Sequence, residues 1–483
     1  MTSPMPTSQH DPYALSPDAV QAPPARLGLA LRKIGPGLIL AGSIVGTGEL
    51  IQTTNTGAKA GFTLLWLVLL SCFIKVFVQI ELGRYAVSSG NTTLMAFRSL
   101  PGPGIALVWW WLVMMLVTQT QMGAMVGGVG QAFHLAIPAV SPWLAQLLGG
   151  EASAAGRWIL AYPEMPWAVI VTLGTSALLA AGSYRIVEVG TTAMVVVFTV
   201  MTVVCVAFLP AVGGKLAWPD VASGLTFQLP EVEGAMVTAF AMFGITGVGA
   251  SELVSYPYWC IEKGYARNVG PSDGSAAWVE RARGWIRILF LDAWVSMLVY
   301  TVATVAFYLL GAAVLFGHSK AEGLPDNVRG MLDMLAKMYE PVLGEAASRW
   351  FMVIGVFAVL YSTLFASTAA SSRTLTDLLR VNGLVEIPTI EKRRRFVRAF
   401  CVVFPILDFF LYLLMGNPQK MVTIGGFTQA VTLPMIATAA LYLRYRRTDR
   451  RLLSGRCWDV LLWLSVLGLY VAAGYGVWSS VLR

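Results

Sequence analysis

The sequence contains few charged residues. Asp, Glu, Lys and Arg make up 12% of its 483 residues, about half the share found in soluble proteins, whereas 56% of the residues are hydrophobic. Apolar stretches long enough to cross a bilayer recur from residue 35 almost to the C-terminus. This composition excludes an ordinary soluble protein and predicts a polytopic, all-α membrane protein surrounded by the lipid bilayer. The eleven predicted spans cover residues 35–60, 61–86, 104–134, 166–184, 186–210, 235–261, 284–316, 349–372, 395–416, 420–443 and 457–481.

Cysteine and histidine are also scarce, with five and three residues respectively. The cysteines are scattered, and their spacing is typical of neither a disulfide framework nor a metal site. The sequence has no P-loop, no His-Glu-x-x-His motif and no Ser/His or paired-Asp constellation. An enzyme and an ATP-driven pump are therefore disfavoured, and no cofactor is expected. A channel is disfavoured because no filter motif is recognisable.

The basic residues lie in clusters between the apolar stretches. They precede span 1, separate spans 6 and 7, precede span 9 and separate spans 10 and 11, as in "RYRRTDRRLLSGR" (Arg444–Arg456). With eleven spans these clusters share one side of a plasma or inner membrane. The positive-inside rule then predicts a cytoplasmic N-terminus and an external C-terminus, and argues against a nucleic-acid partner. Residues 1–33 lack the apolar core of a signal peptide and are predicted to be a disordered cytoplasmic tail.

Two short segments share a glycine-rich break followed by a Glu-Leu pair. They are "SIVGTGELIQT" (Ser43–Thr53) in span 1 and "TGVGASELVSY" (Thr246–Tyr256) in span 6. Because span 6 comes five spans after span 1, an odd number, the second half of the chain enters the membrane with opposite topology. Secondary transporters are often built from such inverted repeats, with binding sites on discontinuous helices. The predicted divisions are a first repeat (34–210, spans 1–5), an extracellular connection (211–234), a second repeat (235–446, spans 6–10), and a basic loop with span 11 (447–483).

Each segment puts a carboxylate near the middle of the membrane, Glu49 in span 1 and Glu252 in span 6. A charged group at this depth costs roughly 2.5–3.5 kcal/mol or more and by default marks a pathway or a paired site. The inverted repeat predicts that the two carboxylates converge, where they would repel each other unless a cation or a proton lay between them. An oxygen-rich shell of this kind suits Mg²⁺, Mn²⁺ or Ca²⁺. It would be completed by the backbone carbonyls of Gly46 and Ala250 and the hydroxyls of Thr47 and Ser251.

Two other interpretations of the glutamates are open. The pair could be structural, with one carboxyl protonated and both satisfied by helix ends or hydroxyls. The pair could also neutralise an organic cation or form a proton site. Aromatic residues in span 6, such as Tyr256 and Trp259, are compatible with an organic solute.

Four longer segments resemble the Nramp family of divalent-metal transporters. "IGPGLILAGSIVGTGELIQTTNTGAKAGF" (Ile34–Phe62) is similar to the family's first helix, and "GASELVSYPY" (Gly249–Tyr258) falls where the family has the metal-binding part of its sixth helix. "QIELGRYAVSSGNTTLMAF" (Gln79–Phe97) and "SYRIVEVGTTAMVVVFTV" (Ser183–Val200) resemble the second helix and the entry to the fifth. The resemblance implies a LeuT-type fold of two inverted five-helix repeats and an eleventh helix, with helices 1 and 6 broken.

The chain departs from the family at the metal-binding residues. Where the family has an Asp and an Asn in helix 1, this sequence has Gly46 and Glu49. Where the family has a Met and a His in helix 6, it has Leu253 and Ser255, and Glu252 is an additional acid. The resemblance therefore implies a rebuilt site that has lost its thioether ligand. This loss favours a harder ion, as in the Nramp-related magnesium transporters.

The resemblance also bears on residues outside this motif. The family has acidic residues of a proton path in helix 3, where this chain has Gln119 and Gln121, whose amides form hydrogen bonds but do not carry a proton away. The family brings a Gln of helix 10 to the ion, and Gln429 is the corresponding candidate ligand. Ser255 and Asp292 are further candidates for the pathway.

Four other polar residues within the spans are given structural interpretations. Lys75 in span 2 is interpreted as a snorkelling side chain, and Glu81 and Arg84, three residues apart, as an ion pair. Asp408 in span 9 is interpreted as a structural acid.

These observations predict a secondary transporter that moves a divalent cation, Mg²⁺ or Mn²⁺, as its substrate. It would work by alternating access and without the usual Nramp proton path. The alternative is a LeuT-fold carrier of an organic cation or an amino-acid-like solute, with Glu49 and Glu252 as counter-charges. No oligomeric state is predicted.

Overall fold

The computed structural model describes residues 13–46, 48–102, 104–182, 184–212, 216, 218–230, 234–316, 325 and 328–481. Within these residues the chain is helical and has no β-strand. In the same residues nine helices are long and apolar enough to cross a membrane, and the bent pair Ala154–Ala161 and Met165–Ala181 would make a tenth. The remaining predicted span, over residues 35–60, is divided into shorter helices.

We number the membrane helices α1 to α11 in the order of the predicted spans. The first is divided into α1a (Pro36–Ile44), a π-helical turn (Gly48–Thr53) and α1b (Thr54–Ala60). The others are α2 (Leu65–Ser89), α3 (Gly104–Ala136), α4 (Met165–Ala181), α5 (Tyr184–Phe208), α6a (Ala235–Ile245), α6b (Ala250–Glu262), α7 (Ala276–Leu310), α8 (Glu345–Val381), α9 (Ile390–Met415), α10 (Pro418–Tyr442) and α11 (Arg456–Val481). Shorter helices cover Leu27–Leu31, Thr93–Arg98, Val140–Leu147, Ala154–Ala161, Trp218–Ser223, Tyr265–Val269, Val328–Lys337 and Glu340–Leu343, and π-helical turns at Gly311–Leu315 and Leu443–Arg447 extend α7 and α10.

Helices α1 and α6 are broken at the glycines that the sequence analysis singled out. α1a ends at Ile44, and a Cβ atom on Gly46 would overlap with Thr363 Oγ1 of α8, so a glycine is needed for this close approach. α6a ends at Ile245, and Gly247 has a φ of +64°, a left-handed conformation that favours glycine. The predicted breaks in helices 1 and 6 are confirmed.

The helices form two groups that meet around the breaks. α1, α2, α6 and α7 pack together, with α1a against α7 and α6b against α2. As whole helices, α1 against α7 corresponds to α6 against α2 if α6–α10 repeat α1–α5. α3, α4, α8 and α9 form the second group, while α10 packs against α3 and α6a, and α11 against α2 and α10. The breaks therefore lie inside the protein, where unwound backbone is tolerated at membrane depth.

The predicted pair of Glu81 and Arg84 belongs to a larger buried cluster. Glu81 Oε1 accepts a hydrogen bond from Arg84 Nη2 at 3.1 Å. The same oxygen accepts one from Arg444 Nη1 at 3.0 Å and one from the Trp458 indole at 2.7 Å. Arg444 also donates to Asp459 of α11 at 2.8 Å. The cluster joins one end of α2 to α11 and to the segment after α10, which fixes the position of α2.

The prediction of a disordered tail is wrong for residues 13–33, which lie against one end of the helix bundle; residues 1–12 lie outside the described residues. We call this end, where α1a begins and α6b ends, the N-terminal face, and residues 13–33 the N-terminal strap. The Tyr13 hydroxyl donates to Glu262 Oε1 at 2.7 Å, and the Arg393 guanidinium lies 3.5 Å from the centre of its ring. Burial, and then the charge of Glu262, raise the pKa of the Tyr13 hydroxyl well above its usual value, so it remains a donor.

The strap makes further contacts towards α1a. The Gln21 amide donates to the Asn268 carbonyl at 3.0 Å, and the Gln21 carbonyl accepts from the Trp285 indole at 3.0 Å. Closer to α1a, the Lys33 carbonyl accepts from the Tyr265 hydroxyl at 2.9 Å. The composition of the strap resembles that of a disordered segment, but residues from distant parts of the chain bind several of its polar groups. These tertiary contacts explain why composition alone gave the wrong prediction.

Beside the strap, Asp377 of α8 joins the two helix groups. Its Oδ2 accepts hydrogen bonds from the Tyr258 hydroxyl of α6b at 2.6 Å and from the Thr92 hydroxyl at 2.5 Å. Its Oδ1 pairs with Arg380 at 2.7 Å and lies 3.6 Å from Arg393. The two groups are thus connected at the N-terminal face.

We expect Tyr13→Ala to release the strap, because it removes the hydrogen bond to Glu262 and the contact with Arg393. Trypsin should then cleave the purified protein several-fold faster after Arg26, as followed by mass spectrometry. Asp18→Ala is the control, since Asp18 is exposed on the strap. Equal cleavage rates in Tyr13→Ala and the wild type would show that Tyr13 does not hold the strap in place.

Candidate functional site

The break in α6 frees backbone carbonyls at the end of α6a, and a lysine binds them. Lys75 of α2 is completely buried, and its ammonium donates to the Thr246 carbonyl at 2.7 Å and to the Phe243 carbonyl. Its Nζ also lies 4.9 Å from the centre of the Phe243 ring. The interpretation of Lys75 as a snorkelling residue is wrong. Lys75 lies roughly 15 Å or more from either end of α2, and this depth is the sequence signal that could have identified it.

A glutamine side chain binds one of the free amides at the start of α6b, and a second glutamine holds the first. Gln429 Oε1 of α10 accepts a hydrogen bond from the Ser251 amide at 3.1 Å. Gln429 Nε2 in turn donates to Gln121 Oε1 of α3 at 3.2 Å, and Gln121 Nε2 donates to the Val422 carbonyl at 3.3 Å. The structure therefore brings together three predicted residues, Ser251, Gln429 and Gln121, although the oxygen of Gln429 serves as a helix cap here.

The carboxylate of Glu252 and the side-chain oxygen of Gln429 both lie next to Gly249. A Cβ atom on Gly249 would lie 2.5 Å from Glu252 Oε2 and 2.7 Å from Gln429 Oε1, so both oxygens lie over this glycine. They border a cavity of about 40 Å³, which has room for a few water molecules. The cavity lies between α1a, α3, α6b, α8 and α10. Its polar lining residues are Ser43, Thr118, Gln119, Gln121, Ser251, Glu252, Ser255, Ser367, Ser371, Thr374 and Gln429.

Glu49 is buried on the other side of the break, against α7. Its Oε1 accepts hydrogen bonds from the Thr304 hydroxyl at 3.1 Å and from the Gly247 amide at 3.4 Å. Its Oε2 has no hydrogen-bond partner within the described part of the chain. Glu49 is not among the residues that line the cavity beside Glu252.

The prediction that the two glutamates form one ion site is therefore not met by this structure. The described residues include no group of three or more His, Cys, Asp or Glu side chains that could hold a metal ion. Glu49 stabilises the unwound backbone at Gly247, whereas Glu252 faces the cavity. The ammonium of Lys75 lies within electrostatic range of both carboxylates.

The predicted backbone ligands are also placed differently. The Gly46 carbonyl accepts a hydrogen bond from the Leu50 amide at 2.9 Å, so one of its two lone pairs is used within the π-helical turn. Ala250 is the first residue of α6b, and a helix has unpaired amides at its start and unpaired carbonyls at its end. The free carbonyls are consequently those of α6a. Thr47 lies outside the described residues.

Asp292 of α7 is a helix cap and is not one of the cavity-lining residues. Its two carboxylate oxygens accept hydrogen bonds from the amides of Gly35 (2.8 Å) and Gly37 (2.6 Å) at the start of α1a. The Tyr256 hydroxyl of α6b donates to it at 3.0 Å. Of the four predicted pathway residues, Gln119, Gln121 and Ser255 line the cavity, while Asp292 connects α1a, α6b and α7.

Asp408 of α9 is completely buried, and both of its carboxylate oxygens lack a hydrogen-bond partner in the described part of the chain. A Cβ atom on Gly123 of α3 would lie 2.7 Å from the Asp408 carbonyl, so the two helices are in close contact at this point. Asp408 is not among the residues that line the cavity, and its structural interpretation stays a prediction.

Comparison with known proteins identifies relatives of the whole chain. Residues 37–479 match the family model described as natural resistance-associated macrophage protein-like. The chain is 21% identical over 453 residues to the divalent metal cation transporter MntH of Staphylococcus saprophyticus, with 91% of each chain covered. It is 24% identical over 446 residues to the divalent metal cation transporter MntH 1 of Pseudomonas aeruginosa, with 91% of this chain and 89% of the relative covered.

Solved structures share the fold. A crystal structure of a mutant of the Eremococcus coleocola manganese transporter matches with a TM-score of 0.65 at 16% identity, covering 95% of this chain and 89% of that one. The transporter MhsT in complex with L-phenylalanine matches with a TM-score of 0.53 at 14% identity, covering 94% of this chain and 100% of that one. The predicted LeuT-type fold is confirmed.

We expect Asp292→Asn to destabilise the protein, because an amide side chain has one acceptor oxygen and leaves the Gly35 or Gly37 amide unpaired. The free energy of unfolding in detergent should fall by about 1–3 kcal/mol. Ser296→Ala is the control, since the Ser296 hydroxyl donates to the Ala293 carbonyl within α7. Wild-type stability combined with a loss of transport would instead make Asp292 part of the pathway.

Proposed function

The chain belongs to the Nramp family of membrane transporters, and we propose that it carries a divalent cation of the Mg²⁺ or Mn²⁺ class across the membrane. Family membership makes the protein an integral membrane transporter and not an enzyme. The relatives that it matches are named as divalent metal cation transporters and a manganese transporter, which supports a metal-ion substrate.

The observation that carries the proposal is the convergence of Glu252 Oε2 and Gln429 Oε1 over Gly249, at the edge of a small cavity. One carboxylate, one amide oxygen and several waters form a suitable environment for a hard divalent ion, because Mg²⁺ usually keeps several waters and binds proteins through one or two carboxylates. We propose that the ion binds at Glu252 and that Glu49 supports the break instead of coordinating the ion.

The size and lining of the cavity support an ion over an organic solute. A volume of about 40 Å³ accommodates a partly hydrated ion but is small for an amino acid. The sulfur-containing residues Met115 and Met122 of α3 also line the cavity, and for this reason Mn²⁺ stays beside Mg²⁺ in the proposal. The hydroxyls of Ser367, Ser371 and Thr374 of α8 also line the cavity and provide further oxygen ligands for an ion.

We further propose that transport occurs by alternating access and without the usual Nramp proton path. The side chains of Gln119 and Gln121 cannot release a proton, and Gln121 is held by Gln429 and the Val422 carbonyl. The contact of α1 with α7, matched by that of α6 with α2, supports inverted repeats over 34–210 and 235–446. The distribution of basic residues supports a cytoplasmic N-terminal face.

We expect Glu252→Gln to weaken binding of the divalent ion more than tenfold, because it removes the negative charge at the cavity. Isothermal titration of the purified protein with Mg²⁺, Mn²⁺ and Ca²⁺ measures this loss. Glu49→Gln should weaken binding less, since Glu49 contacts Gly247 and Thr304. Glu280→Gln, on the exposed surface of α7, is the control.

Unchanged affinity in Glu252→Gln would contradict the site. Titration of the wild type with choline and L-arginine tests the alternative substrate class. Saturable binding of one of these solutes, together with no binding of any divalent ion, would favour an organic substrate.

A further inference from the structure

The geometry points to a second cation site in this protein, at the end of α6a, which the chain fills with its own Lys75 ammonium. We propose that Lys75 is a tethered cation: it occupies a place where a free monovalent cation would otherwise bind. This site is separate from the divalent-ion site at Glu252. Whether Lys75 fills a cation site does not depend on the proposed function. What this means for transport does rest on the proposed function.

The backbone around Lys75 has the features of a cation site. The carbonyls of Phe243 and Thr246 both point to the ammonium, since α6a has ended and no following helical turn supplies their amides. The Ser71 hydroxyl lies 3.3 Å and 3.4 Å from the same two carbonyl oxygens, so it adds a polar group from α2. The carbonyl end of a helix also carries the negative end of the helix dipole, which attracts a cation.

The charges around the site favour a cation from several sides. Glu49 of the π-helical turn in α1 and Glu252 of α6b both attract the ammonium, and the Phe243 ring lies beneath it. Cys72, one turn before Lys75 on α2, is the other titratable group nearby. From α7, the neutral hydroxyl of Thr304 reaches Glu49. The described residues bring no second basic side chain into contact with these two carbonyls.

A tethered cation differs from a bound ion in one functional respect: it cannot leave with the substrate. A transporter that used a dissociable ion at this break could couple its conformational change to the gradient of that ion. In this chain the cationic group at the α6 break is covalently attached to α2, and it joins α2 to α6a. The proposed transport would therefore draw no energy from a monovalent cation bound at this position.

Chemical rescue of Lys75→Ala tests the inference. Alanine removes the side chain beyond Cβ, and n-propylammonium has the three carbons and one nitrogen that are missing. We expect the purified variant to have a lower thermal midpoint than the wild type, and n-propylammonium chloride to restore part of the loss. Methylammonium should restore less, and choline chloride at the same ionic strength should have no effect. The wild type should respond to none of these salts.

Rescue by n-propylammonium or by Na⁺, beyond the effect of choline, supports a cation site at the break. Equal responses to all of these salts would overturn the proposal, and so would a variant as stable as the wild type.

If Lys75→Ala cannot be purified, the yield of folded protein from cells grown with n-propylammonium gives the same readout. Lys75→Met adds a second comparison, because it keeps the length of the side chain and loses the charge; stability equal to the wild type would also overturn the proposal.

Transport in proteoliposomes separates this proposal from the proposed function. If the wild type moves Mg²⁺ or Mn²⁺, the flux of Lys75→Ala should become dependent on added n-propylammonium or Na⁺. A flux that remains independent of both would overturn the consequence for transport. If the wild type moves no divalent ion, the proposed function fails, while the thermal rescue still decides whether Lys75 occupies a cation site.

Discussion

The structure depends on one constraint: backbone groups inside a membrane protein must find partners, and the break in α6 leaves carbonyls and amides that the helix itself cannot satisfy. Three other helices supply what is missing. Lys75 of α2 binds the carbonyls that end α6a, Gln429 of α10 binds the Ser251 amide that begins α6b, and Glu49 of α1 binds the amide of Gly247 between them. Each partner has the charge or polarity that its end of the break requires.

This constraint explains why two similar sequence motifs have different roles. Glu49 follows the break in α1 within a π-helical turn and is drawn to the amide of Gly247 and to the Thr304 hydroxyl. Glu252 lies in the first turn of α6b, and its carboxylate remains at the cavity. Inverted repeats give the two motifs equivalent positions in the chain. They do not give them equivalent neighbours, because α7 meets the first glutamate and α3 and α10 border the cavity at the second.

Local features of the sequence were sufficient to predict the membrane class and the two breaks, and they singled out Glu252, which lies at the cavity. Glycine and glutamate within an apolar span are local signals, and so is the order of the family-like segments. The capping role of Asp292 and the contact of Lys75 with α6a could not be read in this way, since their partners lie about 255 and 170 residues away along the chain. The direction of the helix explains why Ala250 is not a carbonyl ligand here: the free carbonyls of α6 lie before the break, at the end of α6a, and Ala250 follows it.

The N-terminal strap has a thermodynamic consequence. Tyr13 contacts Glu262 at the end of α6b and Arg393 at the start of α9, so it touches both helix groups, and Asp377 connects the same groups beside it. Separation of the groups at this face would break the contacts of the strap. By linkage, any molecule or modification that removes the strap lowers the free energy needed to separate the two groups at this face, by the amount that those contacts contribute. Residues 13–33 thus act as a clamp whose strength adds to that of Asp377.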